Sequence, residues 1–191
     1  MPRTPNYPIE PYILNRWSPR AMSGEEMSDE ELMTLFEAAR WAPSSYNNQP
    51  WRFIYARRET QHWQTFFDLL GEFNQSWCKN ASALVVVAAR KTFEYNGKPS
   101  VTHAFDTGSA WENLAIQATA TGYVAHGMEG FDYQAAASTL HVPDDHVVLA
   151  MIAIGKPGKK EDLPEDLQKD EQPNDRRPLG EIVMEGTFIK S

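Results

Sequence analysis

One cysteine, Cys78, occurs in 191 residues, so this chain can hold neither an internal disulfide framework nor a cysteine-based metal cage. Positive charge is scarce too: 18 lysines and arginines face 26 acidic residues, for a net charge of −8. Nucleic acid and anionic membranes are recognised through a positive field, so neither is an expected partner. No stretch approaches the ~18 consecutive apolar residues of a membrane span. Met1 to Asn15 carries prolines but no apolar core, so no signal peptide is expected and the expected location is the cytoplasm.

Familiar chemical signatures are missing as well. No Gly-x-Gly-x-x-Gly turn follows a strand pattern, which argues against a dinucleotide site of the doubly wound type. Gly155-Lys156-Pro157-Gly158-Lys159 has the wrong spacing for a phosphate-binding loop. His103 with Asp106, and His141 with His146, lack both the helical metal-ligand spacing and a third ligand; they read as packing or surface residues. Gly108-Ser109 has no second glycine and no strand before it, so a serine hydrolase elbow is not expected.

What is present suits one compact domain over residues 1–191. A chain of this size buries roughly 70% of its unfolded surface and needs no covalent staples. The 6 Trp, 7 Tyr and 9 Phe fit either an aromatic-rich core or large flat surfaces facing a partner subunit or a planar ligand. Helical and strand patterns alternate. Ser28 and Glu31 form a capping box ahead of Leu32, Leu35, Phe36 and Ala39, and this helix must stop before Pro43. Trp51 to Ala56 reads as a strand, Gln64 to Leu70 as a short helix, and the apolar run Leu84 to Ala89 as a strand buried on both faces.

Asp106 to Thr121 is a second helix, stopped by Gly122 and so rich in alanine that it must be central or covered by a second subunit. Asp132 caps a short helix ending near Leu140, and Val147 to Ile154 is another central strand. Gly155 to Pro178 reads as a solvated loop and Ile182 to Ile189 as a strand. The sum is an α+β fold of three α/β/α layers with a mixed central sheet.

Two segments stand out chemically. Arg16-Trp17-Ser18-Pro19-Arg20 puts two guanidinium groups around a hydroxyl, a set suited to phosphate oxygens. Ala42-Pro43-Ser44-Ser45-Tyr46-Asn47-Asn48-Gln49-Pro50-Trp51 packs hydroxyls and amides between prolines, offering the neutral donors and acceptors a polar ring edge needs.

In this order the two segments resemble the amino-terminal pattern of the nitroreductase family, and the likeness extends along nearly the whole chain. Asn74 and Gln75, Asp106 to Leu114, Gly127-Met128-Glu129-Gly130-Phe131 and Arg176-Arg177-Pro178-Leu179 match its later elements. The resemblance implies a homodimer joined through its central helices, with the carboxyl tail reaching onto the partner and FMN at the interface. It implies that Arg16, with Arg176 or Arg177, holds the cofactor's phosphate, that Ser18 adds a hydroxyl and that Trp17 stands beside them. Arg20 would sit near the pyrimidine edge, Pro43, Ser44, Ser45 and Asn47 would come from the partner, and Asn74 would bond the ring's polar edge. Backbone near Met128, Glu129 and Gly130 would meet flavin N5. No side chain acts as acid or base, because the flavin carries the chemistry.

Trp17 departs from the family in replacing a second basic residue, and Trp77 stands about where some relatives carry a lysine. The residues around Phe93, Tyr95 and Phe105 would line the mouth of the substrate pocket. The implied activity is transfer of hydride from NADH or NADPH to nitroaromatic, quinone or similar electron-poor small molecules by a ping-pong mechanism. An offshoot with a dedicated substrate (an enone reductase, a dehalogenase or a flavin-degrading enzyme) and a non-catalytic flavin carrier or sensor are the alternatives.

Overall fold

The computed structural model describes residues 3–188. Its centre is a four-stranded sheet of β1 (Trp51–Arg57), β2 (Ala83–Arg90), β3 (Val124–Met128) and β4 (His146–Gly155), in the order β1-β2-β4-β3. All three pairings are antiparallel. The mixed sheet expected from the sequence is therefore corrected: no parallel pair forms among the described residues, while the α+β layering holds.

Side chains alternate across the sheet and feed two cores. Leu84 and Val86 of β2 with Met151 and Ala153 of β4 point to one face. Val85 and Val87 with Ile152 and Ile154 point to the other. Since both faces are covered, β2 must be apolar at every position, and Ala83 to Ala89 is buried throughout. The register slips between Val87 and Ala88, where Leu149 of β4 is the extra residue of a bulge.

The Val85 face is covered by α2 (Asp29–Arg40) and α5 (His103–Ala120). Ser28 caps α2 as expected: its hydroxyl accepts from the Glu31 N–H at 3.2 Å and the Glu31 carboxylate accepts from the Ser28 N–H at 2.6 Å. Leu32, Leu35 and Ala39 then face Ala110, Leu114 and Ala118 of α5. Alanines let the two helices approach until the Asn113 amide donates to the Ala38 carbonyl at 3.3 Å. The opposite side of α5 leaves Phe105 exposed, as is Val101 in the turn just ahead of the helix.

The Leu84 face is covered by α3 (Trp63–Asp68), α4 (Glu72–Cys78) and α6 (Tyr133–Thr139), the last capped by Asp132. A five-residue helix, α1 (Pro11–Asn15), forms near the start of the chain, and Pro11 suits its first turn. The expected solvated stretch after Gly155 contains α7 (Glu165–Gln168), because Leu163 and Leu167 are buried against the core. The expected strand from Ile182 to Ile189 is also corrected. α8 (Leu179–Ile182) ends there, residues 183–188 pair with no strand, and Ile189 lies outside the described residues. A strand needs a sheet edge to bond, and this segment lies against none.

Candidate functional site

Arg16 closes α1 by donating its N–H to the Tyr12 carbonyl at 3.0 Å, and from there the chain runs extended along one end of the sheet. That course sets Arg16, Trp17, Ser18 and Arg20 along a cavity of about 620 Å³. The Arg16 guanidinium donates to the Ser18 hydroxyl at 3.2 Å and lies 3.5 Å from the Glu112 carboxylate of α5. His126 of β3 and Arg176 complete the walls, with Asp170, Gln172, Pro173 and Asn174 as the outer rim. Of the two candidate carboxyl-terminal cations, Arg176 is the one that lines this cavity. Arg177 lines a neighbouring hollow with Arg3, Tyr7 and Ile182.

The cavity gathers charge that the chain as a whole lacks. Burial and the repulsion of Arg176 and Arg16 both lower the Arg3 pKa. Arg3 nevertheless holds its place by donating to the carbonyls of Leu14 (2.9 Å), Arg16 (2.7 Å) and Asn174 (2.8 Å). Crowding like charges costs free energy, which an anion seated among them offsets. Arg20 Nε is buried and has no hydrogen-bond partner among the described residues. An unmet buried donor costs ~1–3 kcal/mol. A phosphate-bearing ligand with polar ring atoms fits a cavity with these features.

A second group forms around α4 and the end of β3. Asn74 is buried, donates its amide to the Gly130 carbonyl at 2.9 Å and accepts from the Trp77 indole N–H at 3.2 Å. Gly71 N–H reaches the same carbonyl at 3.0 Å. A Cβ on Gly130 would stand 2.9 Å from the Asn74 amide nitrogen, so any larger residue there must displace that amide. Met128 is buried with its sulfur 3.4 Å from that of Cys78, while Glu129 and Gly130 turn out to solvent. Trp77 lies against His126, with ring centroids 4.6 Å apart, and so links this group to the arginine cavity. Burial lowers the His126 pKa, and the ring's Nδ1 stands 3.0 Å from the Pro19 carbonyl. That carbonyl can only accept, so Nδ1 carries the proton of the neutral ring.

The third group is the loop from Pro43 to Gln49. Ser44 Oγ accepts from the Gln49 N–H at 3.0 Å, and Ser45 N–H donates to Asp106 at 3.1 Å. Asn48 bonds both the Thr92 carbonyl (3.3 Å) and the Glu94 N–H (3.1 Å), tying the loop to its neighbour. Tyr46 and Asn47 have φ of 52° and 53°, and Gln49 has 47°, a conformation that side-chain-bearing residues rarely adopt. Pro43, Tyr46 and Asn47 are exposed. Tyr46 stands edge-on to Phe93 at 5.7 Å and near Tyr95 at 6.1 Å, while Phe105 projects from α5, 77% exposed.

Within one chain, then, Arg16, Trp17, Ser18, Arg20 and Arg176 share a cavity, and Asn74, Met128 and Gly130 adjoin it through Trp77 and His126. Pro43, Ser44, Ser45 and Asn47 form a separate group beside Phe93 and Tyr95. His126 lines the cavity, and Arg3 and Glu171 brace its lining segments at Arg16 and Arg20; the sequence singles out none of the three. Arg3 and Glu171 sit in segments that resemble ordinary charged surface, and nothing local marks His126.

The nitroreductase family model matches residues 13–156. The DrgA protein of Synechocystis is 33% identical over 82% of this chain and 85% of its own length. An Archaeoglobus fulgidus protein provisionally named NADH dehydrogenase/NAD(P)H nitroreductase is 29% identical over 79% of this chain and 86% of its own. Among solved structures, an oxidoreductase containing FMN is 45% identical, superposes with a TM-score of 0.95 and covers 99% of this chain and 97% of its own.

Proposed function

The chain belongs to the nitroreductase family, and from that premise we propose that it is an FMN-dependent oxidoreductase. In this reading it works as a homodimer that passes reducing equivalents from NADH or NADPH to nitroaromatic, quinone or similar electron-poor small molecules in two half-reactions. The observation that carries the proposal is the arginine cavity of an otherwise acidic chain, with the buried donor of Arg20 unmet by any atom of the described residues. Likeness across 99% of the chain to an oxidoreductase containing FMN supports the same cofactor.

FMN, when bound, supplies a ring that accepts and returns a hydride equivalent at N5. The protein's part is to bind and orient. Arg16 and Arg176 offer guanidinium forks to the phosphate, with the Ser18 hydroxyl beside them. Trp17 closes that side of the cavity. Arg20 stands ready to stabilise negative charge that collects on the ring's pyrimidine side. The Gly130 carbonyl, held by Gly71 and Asn74, fixes the path of the backbone at Met128, Glu129 and Gly130 so that its N–H groups present a constant edge. Phe93, Tyr95 and Phe105 give an aromatic border against which a flat acceptor can stack.

Pro43, Ser44, Ser45 and Asn47 act on the cofactor of the partner subunit in this reading, which explains why the loop is rigid yet stands apart from its own chain's cavity. The exposed Phe105 on α5 and Val101 just before it suit the interface, and the tail beyond α8 suits a partner's surface.

Purified protein is expected to be yellow and to bleach when NADH or NADPH is added without oxygen, the colour returning with a nitroaromatic or quinone. Protein that stays colourless after incubation with FMN would overturn the proposal.

A further inference from the structure

We propose that Glu171 is a positioning residue for the cofactor site: its carboxylate anchors the Arg20 backbone and sets a buried negative charge behind the cavity's rim, thereby setting the reduction potential of bound FMN. The inference rests on the FMN reading above and adds a residue outside the motifs that led to it.

Glu171 lies in the run that forms the cavity's rim, where Asp170, Gln172, Pro173 and Asn174 face the opening. Glu171 turns inward instead. Its Oε1 accepts from the backbone N–H groups of both Arg20 and Ala21, each at 2.8 Å, across 151 and 150 positions of sequence. Two donors on one oxygen fix the carboxylate's orientation and anchor the backbone from which the Arg20 side chain starts. Its Oε2 is buried and has no hydrogen-bond partner among the described residues. A carboxylate oxygen shielded from water keeps a strong local field. Arg20 Nε is likewise buried and without a hydrogen-bond partner among the described residues; Arg20 lines the cavity, and Glu171 sits between the rim residues Asp170 and Gln172.

The Arg16–Glu112 pair is a useful contrast. Those groups lie 3.5 Å apart, but the Glu112 side chain is 48% exposed and its charge is screened. Glu112 thus meets a cavity arginine at its guanidinium but stands half in solvent, whereas Glu171 meets Arg20 through the backbone and has its Oε2 buried. Reduced flavin is richer in electrons than oxidised flavin, so a buried anion nearby holds the potential down and its removal lets the potential rise.

Glu171→Gln separates charge from scaffolding, because the amide oxygen can still accept from both N–H groups. FMN titration and spectroelectrochemistry of the bound flavin are to be run on wild type, Glu171→Gln, Glu171→Asp and Glu112→Gln. Glu171→Gln is expected to bind FMN within about threefold of wild type while its midpoint potential moves to a more positive value. Glu171→Asp keeps the charge with a shorter reach; it should weaken FMN binding more than the glutamine variant does while staying closer to the wild-type potential. Glu112→Gln should shift the potential less than Glu171→Gln. A wild-type potential in Glu171→Gln, or equal shifts in the glutamine and aspartate variants, would overturn the proposal and leave Glu171 a scaffold residue. Failure of wild type to bind FMN would instead remove the reading beneath it.

Discussion

The arginine cavity and the loop from Pro43 to Gln49 solve opposite problems. The cavity is charged, has ordinary backbone and leaves the buried Arg20 donor without a partner among the described residues. The loop is neutral, and its hydroxyls and amides are engaged with the protein itself, through Ser44, Ser45 and Asn48. It also holds three side-chain-bearing residues, Tyr46, Asn47 and Gln49, at positive φ. Left-handed backbone costs ~1–2 kcal/mol per residue, a strain kept only where surrounding bonds insist on the shape. A dianion can be held by long flexible cations, since charge acts over distance. A flat ring edge is read by neutral dipoles, which act only at contact, so the frame that carries them must be stiff.

Breaking the charged end should have the largest effect. Arg16→Ala removes a fork and a hydroxyl partner at once, and FMN affinity measured by flavin fluorescence should fall about 10- to 100-fold. An unchanged affinity would remove Arg16 from the site. The loop can be loosened without touching charge: Asn48→Ala deletes both bonds to the 92–94 segment and should lower unfolding stability by ~1–2 kcal/mol in urea. If the urea midpoint does not move, the loop is not held by its neighbour and the contrast in stiffness fails. Gly130→Ala should push the Asn74 amide off the Gly130 carbonyl, since the new Cβ would stand 2.9 Å from it. Thermal melts should show the loss, about 1 kcal/mol, and a variant as stable as wild type would mean that this hydrogen bond is idle.

The smallest effect concerns pH. Burial depresses the His126 pKa below its ordinary 6.5, so the unfolded chain takes up a proton more readily than the folded one. Its contribution to stability is complete above pH 6.5 and declines as pH falls from there toward the folded-state pKa. His126→Phe should flatten the stability profile in that window, and a slope identical to wild type would assign it to other groups.

Legibility in the sequence followed how local each cause is. The Ser28 capping box, the apolar run of β2 and the alanine-rich α5 are written in adjacent residues, and all three form as the patterns require. α4 was unreadable because its buried positions include Asn74, a polar residue satisfied only by Gly130 from far along the chain. β3 is short and contains His126 and Gly127, so it lacks a strand's usual composition. Strand direction depends on which edges meet, and no residue pattern within a strand records that. The same division runs through the site. Arg16, Ser18 and Arg20 were visible as a cluster, whereas Glu171 belongs with them only through two hydrogen bonds spanning some 150 positions.

Comparing FMN with riboflavin on wild-type apoprotein tests most directly whether the arginine cavity seats a phosphate. The two ligands share ring and ribityl chain and differ only in that group. Calorimetric titration should show FMN binding at least about 30-fold more tightly, as charge-assisted hydrogen bonds from more than one guanidinium require. Equal affinities would mean that these arginines serve some other purpose and that the cofactor assignment has no anchor in this structure.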